Sequence, residues 1–184
     1  SALPHARKLD LAEPLICYNG ALVQSLDATS PLFHHPVPVD IAQDVVSAGE
    51  IAGLHVNIYL DDLMYVKEFN DYTRFYCSVG GVKAHPVGDL MAYMDRPPTK
   101  VLYVSEPELI VQWQRELARH YRDKLEVYIS KPQYLEFTAL GISKGGAVQE
   151  LARMYGIKRE EVMAIGDSFN DISMLEYAGI GVAM

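Results

Sequence analysis

Two short stretches of the chain carry residue types suited to holding a phosphorylated ligand. The first is Gly166-Asp167-Ser168-Phe169-Asn170-Asp171, directly after the apolar run Val162-Met163-Ala164-Ile165. A carboxylate at the carboxyl end of a buried parallel strand lies in the crevice where open α/β sheets bind ligands. Asp167 and Asp171 are four residues apart and would stack on one face if a helix has already begun. Their oxygens are hard donors, and magnesium usually takes one or two carboxylates while water and substrate phosphate complete its octahedron. The alternative is that Asp167 or Ser168 only caps the following helix, and spacing leaves both readings open.

The second stretch is Gly141-Ile142-Ser143-Lys144-Gly145-Gly146. Ser143 is the predicted N-cap, which puts Lys144 in the first helical turn, where the macrodipole disfavours a cation by about 0.3–1 kcal/mol. That cost becomes a gain if an anion sits at the helix end, met by amide donors and by the ammonium group. Read alone, Lys144 is an ordinary surface lysine. Followed about twenty residues later by Asp167, it forms one half of a phosphate clamp beside a metal site.

The elements that must position these groups follow from hydrophobic periodicity. Pro14–Tyr18 reads as a short strand ended by Asn19-Gly20, and Asp40–Ala52 as a helix. Leu54–Leu60 and Leu63–Val66 form a hairpin around Asp61-Asp62, followed by a polar helix near Asn70–Ser78. Thr99–Val104 is a strand, Glu106–Tyr121 a helix with Leu109, Ile110, Trp113, Leu117 and Tyr121 on one face, and Leu125–Ile129 pairs with Tyr134–Phe137. A helix over Ser143–Tyr155, the Val162–Ile165 strand, a helix from about Asn170 to Tyr177 and a strand at Ile180–Ala183 complete the chain. Apolar strands alternating with helices mark a parallel α/β sheet buried on both faces. The order is therefore α/β, an α+β insert, then α/β again.

Composition limits the partners. The chain has 184 residues, 49% hydrophobic, with a formal net charge of −8. That charge argues against a nucleic-acid partner held by phosphate contacts, and any bound phosphate needs local donors and a metal. No apolar run reaches the ~18–20 residues that span a bilayer. The first residues lack the apolar core of a secretory signal, and Cys17 and Cys77 lack CxxC spacing and read as buried thiols. A reducing cytoplasmic location is the expectation.

Taken together, the motifs resemble those of Cof-type phosphatases of the haloacid dehalogenase superfamily. The likeness runs through Tyr134-Leu135-Glu136-Phe137, Gly141–Gly145, Gly156-Ile157, Val162–Asp171, Met174-Leu175 and Ala178–Met184, with Ile16–Ala21 matching the junction between core and cap. It is dense over residues 14–24 and 130–184 and loose between. The resemblance implies an α/β fold, with a partial Rossmann-like core built on a parallel sheet and an inserted α+β cap. Residues 1–24 and 131–184 would form core and 25–130 the cap. It also implies Mg2+ as cofactor and a small phosphorylated metabolite, such as a sugar phosphate, as substrate. By the same likeness Lys144 offsets charge on the transferring phosphoryl group, Asp167 and Asp171 serve the metal, Asn170 contacts the phosphate, and Asn19 and Gly20 form the hinge at the pocket rim.

The resemblance also shows what the sequence does not contain. The family nucleophile and general acid/base are two aspartates in a D-x-D-x-T motif, and the nearest approximations, Ser25–Thr29 and Phe69–Thr73, place Ser25 and Phe69 at the nucleophile position. The expectation is a chain trimmed at both ends, lacking the first two core strands and inactive as it stands. A catalytically inactive phosphate-binding module is the alternative. Tyr59-Leu60-Asp61-Asp62 copies a polymerase hairpin motif, but a plain polar turn suits the acidic chain better, and the histidines show no metal-ligand spacing.

Overall fold

The computed structural model describes residues 2–27 and 30–184. In chain order the elements are α1 (Leu3–Lys8), β1 (Leu15–Cys17), β2 (Leu22–Gln24), β3 (Phe33–His34), α2 (Val39–Ile51), β4 (His55–Leu60), β5 (Leu63–Val66), α3 (Asp71–Gly80), β6 (Ala84–Pro86), α4 (Leu90–Tyr93), β7 (Lys100–Val104), α5 (Pro107–His120), β8 (Leu125–Lys131), β9 (Tyr134–Ala139), α6 (Lys144–Tyr155), β10 (Met163–Gly166), α7 (Ile172–Tyr177) and β11 (Ile180–Ala183). They form two compact units. One is the continuous segment Pro36–Leu140, and the other combines Ala2–His35 with Gly141–Met184. The first unit thus includes residues 131–140, and the second includes residues 25–35 as far as they are described.

The continuous unit is a six-stranded sheet in the order β6-β5-β4-β7-β9-β8. Period-two alternation sends Val56, Ile58, Val101, Tyr103, Leu135 and Phe137 to one face, where they join Val45, Ile110, Leu117 and Tyr121 in the core. Burying each such large apolar side chain contributes about 1.5–3 kcal/mol. The two core tyrosines satisfy their hydroxyls, Tyr103 donating to the Val45 carbonyl and Tyr121 to Asp44 Oδ2 at 2.9 Å. Leu109, expected on the buried face of α5, is 43% exposed. It sits one position before Ile110, on the edge of the stripe that faces the sheet.

The opposite sheet face is also buried and mixes polar residues with apolar ones such as Leu102 and Val104. His55, Asn57, Lys100, Glu136 and Thr138 alternate with the apolar set. Lys100 Nζ donates to Glu136 Oε2 at 2.9 Å and lies 4.8 Å from the centre of the Tyr59 ring. Helix α3 lies along part of this face. Tyr59 and Tyr76 share a hydroxyl contact of 2.6 Å, and the Tyr76 and Tyr134 rings are 5.0 Å apart.

His55 is tied into the start of α3. Asn70 caps that helix by accepting from the Thr73 amide at 3.0 Å. The Asn70 Nδ2 amide donates to His55 Nδ1 at 3.3 Å. Thr73 Oγ1 donates to the Glu68 carbonyl at 3.0 Å and so accepts from His55 Nε2 at 3.4 Å. The network therefore assigns a neutral ring protonated on Nε2. The Asp71-Tyr72-Thr73 part of the Phe69–Thr73 near-motif is this helix start, and Ala28 and Thr29 of Ser25–Thr29 lie outside the described residues.

In the hairpin, Asp61 and Asp62 take φ values of 51° and 61°, the left-handed pair that a two-residue turn between twisted strands needs. Arg96 pairs with Asp61 at 2.6 Å, so the polymerase-like tetrapeptide is a structural turn. The strand β6 and the helix α4 were not expected, being too short to show a period.

The second unit contains the antiparallel sheet β1-β2-β3 and the parallel pair β10-β11. The last two strands were expected to be buried, but Met163 is 60% exposed, Ile165 55% and Ile180 53%. Among the described residues β10 pairs with β11 alone; α7 covers one face, where Ala164 and Gly166 are buried, while Met163 and Ile165 project from the other. Cys17 and Cys77 form no disulfide and are half-buried rather than buried.

Two measurements follow from this architecture. Amides of Met163–Ile165 should exchange with solvent quickly while those of Leu102–Val104 stay protected, because only the latter strand has a partner on each side. Equal protection in an amide-resolved exchange experiment would contradict this. The second concerns pH. Burial outweighs the Asn57 contact and the Glu68 charge, so the His55 pKa lies below its ordinary value of 6.5. The unfolded chain then binds the proton more readily than the folded one. Stability present above about pH 6.5 should be lost as pH falls below that value towards the folded pKa. A His55→Gln variant should show a flatter dependence of Tm on pH between about 7 and 5; an unchanged slope would remove His55 from the account.

Candidate active site

All six residues singled out by the sequence, Asn19, Gly20, Lys144, Asp167, Asn170 and Asp171, fall in the second unit, and the fold links them. The strand β10 delivers Gly166 and then Asp167 at its carboxyl end. The chain makes a 3-10 turn over Phe169–Asp171 before α7 begins at Ile172. Asp167 and Asp171 therefore do not stack as successive turns of one helix. Instead the Asp171 carboxylate folds back on the turn, and its Oδ2 accepts from the amides of Asp167 and Ser168, both at 3.0 Å. Its Oδ1 receives the Lys144 ammonium.

Asp171 is 3% exposed. Burial by itself pushes its pKa up, but the Lys144 bond and charge and the two amides together hold it below the ordinary carboxylate value. Asp167 is exposed and is touched by the Ser168 hydroxyl at 3.3 Å, which leaves carboxylate oxygen free to take a ligand.

Ser143 caps α6 as its sequence predicts, accepting from Gly146 N at 3.0 Å. The Gly145 amide donates to Ser173 Oγ, also at 3.0 Å. The first-turn amides of Gly145 and Gly146 are thus occupied by side chains, so an anion here would be met by the Lys144 ammonium rather than by those two amide donors. Ser173 is the residue that sequence reasoning missed, because a serine inside a helix carries no signal of its own.

The N-terminal segment closes the arrangement. Asn19 adopts φ 55° and accepts from Asn170 Nδ2 at 2.9 Å, while the Asn170 Oδ1 is buried with no partner. Gly20, at φ 104°, packs so tightly that a Cβ there would sit 2.4 Å from the Ser143 carbonyl oxygen. The two halves of the unit meet where Lys144 begins its helix.

No cluster of three or more metal-type side chains exists among the described residues. A magnesium ion needs fewer protein ligands than that, and an exposed hard carboxylate beside a lysine fits one. No helix of the described residues is long and apolar enough to cross a membrane.

The site is thus a parallel strand ending in an exposed carboxylate, backed by a second, buried carboxylate that holds a lysine. The chain belongs to the haloacid dehalogenase-like hydrolases, whose family model matches residues 1–184, in agreement with the Cof-type motifs. It is 32% identical over 198 residues to the HMP-PP phosphatase of Serratia proteamaculans, covering 100% of this chain and 66% of that protein. It is 26% identical over 190 residues to a 5-amino-6-(5-phospho-D-ribitylamino)uracil phosphatase of Bacillus subtilis, covering 100% of this chain and 69% of the relative. A solved Thermotoga maritima structure superposes with a TM-score of 0.80 at 29% identity, over 93% of this chain and 64% of that one. A haloacid dehalogenase-like hydrolase from Bacteroides thetaiotaomicron reaches a TM-score of 0.88 at 24% identity, over 100% and 70% of the two chains, and supports the fold. The chain thus spans about two-thirds of the length of these proteins.

Replacing Asp171 by Asn keeps the shape but removes the charge that faces Lys144. The Asp171→Asn variant should lose about 1.5–3 kcal/mol of stability, the worth of a hydrogen bond to a charged group. Urea denaturation monitored on the second unit checks this, and an unchanged midpoint would show that the pair contributes nothing.

Proposed function

We propose that the protein is a magnesium-dependent phosphomonoester hydrolase acting on small phosphorylated metabolites such as sugar phosphates. The observation that carries this reading is the division of labour between two carboxylates. Asp171 is closed around Lys144 and the turn amides, while Asp167 is left exposed at the end of β10. Asp167 would hold the magnesium ion, and Asp171 would support it by fixing the turn that carries Asp167. When bound, the ion supplies charge stabilisation to the phosphoryl oxygens.

Lys144 offsets the remaining charge as the transition state forms, which is where a fixed cation contributes most. The second Nδ2 hydrogen of Asn170 is available to a phosphate oxygen, with Asn19 holding the amide in place. Asn19 and Gly20 form the rim of the site.

The expected route is attack by an aspartate on phosphorus. The bond to the leaving alkoxide breaks, and water then cleaves the aspartyl-phosphate to release inorganic phosphate. By the family likeness the attacking aspartate belongs to a D-x-D-x-T motif, which these 184 residues do not contain. The unit Pro36–Leu140 would serve as the cap that selects the leaving group. The relatives' names, both of small organic phosphates, support the substrate class, and the thiols at Cys17 and Cys77 suit a cytoplasmic setting.

In a longer form of the chain, extended to carry the family's D-x-D-x-T segment, p-nitrophenyl phosphate should be cleaved only with magnesium present. Lys144→Ala should lower kcat/KM by well over about threefold, a change of ~0.7 kcal/mol, with little change in stability beyond the lost ion pair. Full activity in excess EDTA would remove the metal assignment. Binding of a phosphate analogue without turnover would favour an inactive binding module.

A further inference from the structure

Lys144 can meet Asp171 only if the start of α6 is held against the start of α7, and one contact fixes that crossing. The Gly145 amide donates to Ser173 Oγ at 3.0 Å. The backbones touch at the same place, since a Cβ on Gly145 would lie 2.2 Å from the Ser173 carbonyl oxygen and 2.4 Å from its carbon. Gly145 follows Lys144 directly, and Ser173 stands two residues after Asp171. The hydroxyl bond therefore lies one residue from the ion pair on the α6 side and two residues from it on the α7 side. Ser143 fastens the next amide, Gly146, to α6's own cap and does not reach α7.

We propose that Ser173 is a positioning residue for Lys144. Its hydroxyl pins the first turn of α6 to α7, so that the lysine ammonium stays aligned on Asp171 and in place for the anion. The alignment stands on geometry alone, and only its effect on turnover rests on the phosphatase reading. Without the hydroxyl, the Gly145 amide loses its acceptor, the first turn of α6 shifts or frays, and the lysine samples other rotamers. The fold as a whole should persist, because the β1–β3 and β4–β9 contacts do not involve this bond.

The test uses this chain with Ser173→Ala, Ser173→Cys and Ser173→Thr. Competitive acetylation, read by mass spectrometry, compares Lys144 with the exposed Lys158. Removal of the hydroxyl in the alanine variant should raise Lys144 labelling relative to Lys158 about threefold or more, and exchange at the Gly145 amide about tenfold. Cysteine, a weak acceptor of nearly the same size, should behave like alanine, and it serves as the readout if the alanine variant does not fold. Threonine, which keeps the hydroxyl, should restore both values to within about twofold.

Unchanged Lys144 labelling in the alanine and cysteine variants would overturn the proposal, and so would a threonine variant that labels like alanine. In the longer, magnesium-supplied protein, kcat should fall about fivefold or more in Ser173→Ala while KM stays within about twofold, with threonine rescuing it. If labelling responds as expected but the longer protein cleaves no phosphate ester, positioning stands and the phosphatase reading fails. A fall in kcat with unchanged labelling would instead mean that Ser173 acts without Lys144, and the proposal fails.

Discussion

The second unit depends on one buried carboxylate. Asp171 is almost fully removed from water, and an ionised group in that position is costly unless each of its oxygens is met by a donor. Three donors do so, one ammonium and two amides, and each comes from a different step of the chain. To receive them the chain must turn sharply after β10, α6 must start beside α7, and Lys144 must extend across the gap. The position of Asp167 follows. With its amide held by Asp171, its own carboxylate points away and stays exposed. A single satisfied ion pair therefore decides which acidic side chain is structural and which is available.

The first unit handles polarity differently. Its sheet is buried on both faces, so alternation does not sort residues into wet and dry. It separates a wholly apolar layer, packed under α2 and α5, from a mixed one in which Lys100 meets Glu136 and His55 meets the start of α3. A slip of one residue in β7 or β9 would put Lys100 or Glu136 into the apolar layer without a partner. The buried pair is thus better understood as fixing register than as adding stability, since such pairs roughly break even against apolar packing.

How much could be read in advance depended on the range of each interaction. The Ser143 cap, the hairpin at Asp61-Asp62 and the long strands were legible because their causes lie within a few residues. The family motifs extended that reach to the pairing of Lys144 with the Asp167–Asp171 segment. What spacing could not show was direction. A spacing of four from Asp167 to Asp171 suggested two ligands on one helical face, whereas the helix starts later and Asp171 turns inward. Ser173 was invisible for a similar reason, since its partner Gly145 is remote in sequence and the hydroxyl of a helical serine usually serves no distant group. The exposure of Met163 and Ile165 was misjudged because an apolar run reports the company a strand is suited to, not the neighbours it has.

The division of the chain also shapes the order in which it can be made. The first unit is one uninterrupted segment, so a ribosome releases all of it before Lys144 emerges. The second unit is interrupted. Its strands β1 to β3 are translated before the first unit, yet the helix against which Gly20 packs is not synthesised until the whole intervening unit has been translated. During that interval β2 and the Asn19-Gly20 turn have no α6 to close over them, and their apolar surface is open to other partners. Because loop-closure cost rises only slowly with length, an intervening segment that has already folded into a compact body would bring the two ends nearer than a random coil of the same length. Pro36–Leu140 would then act as a scaffold for a domain to which it contributes no residue, and a mutation that slows its folding would surface first as aggregation of the segment in front of it.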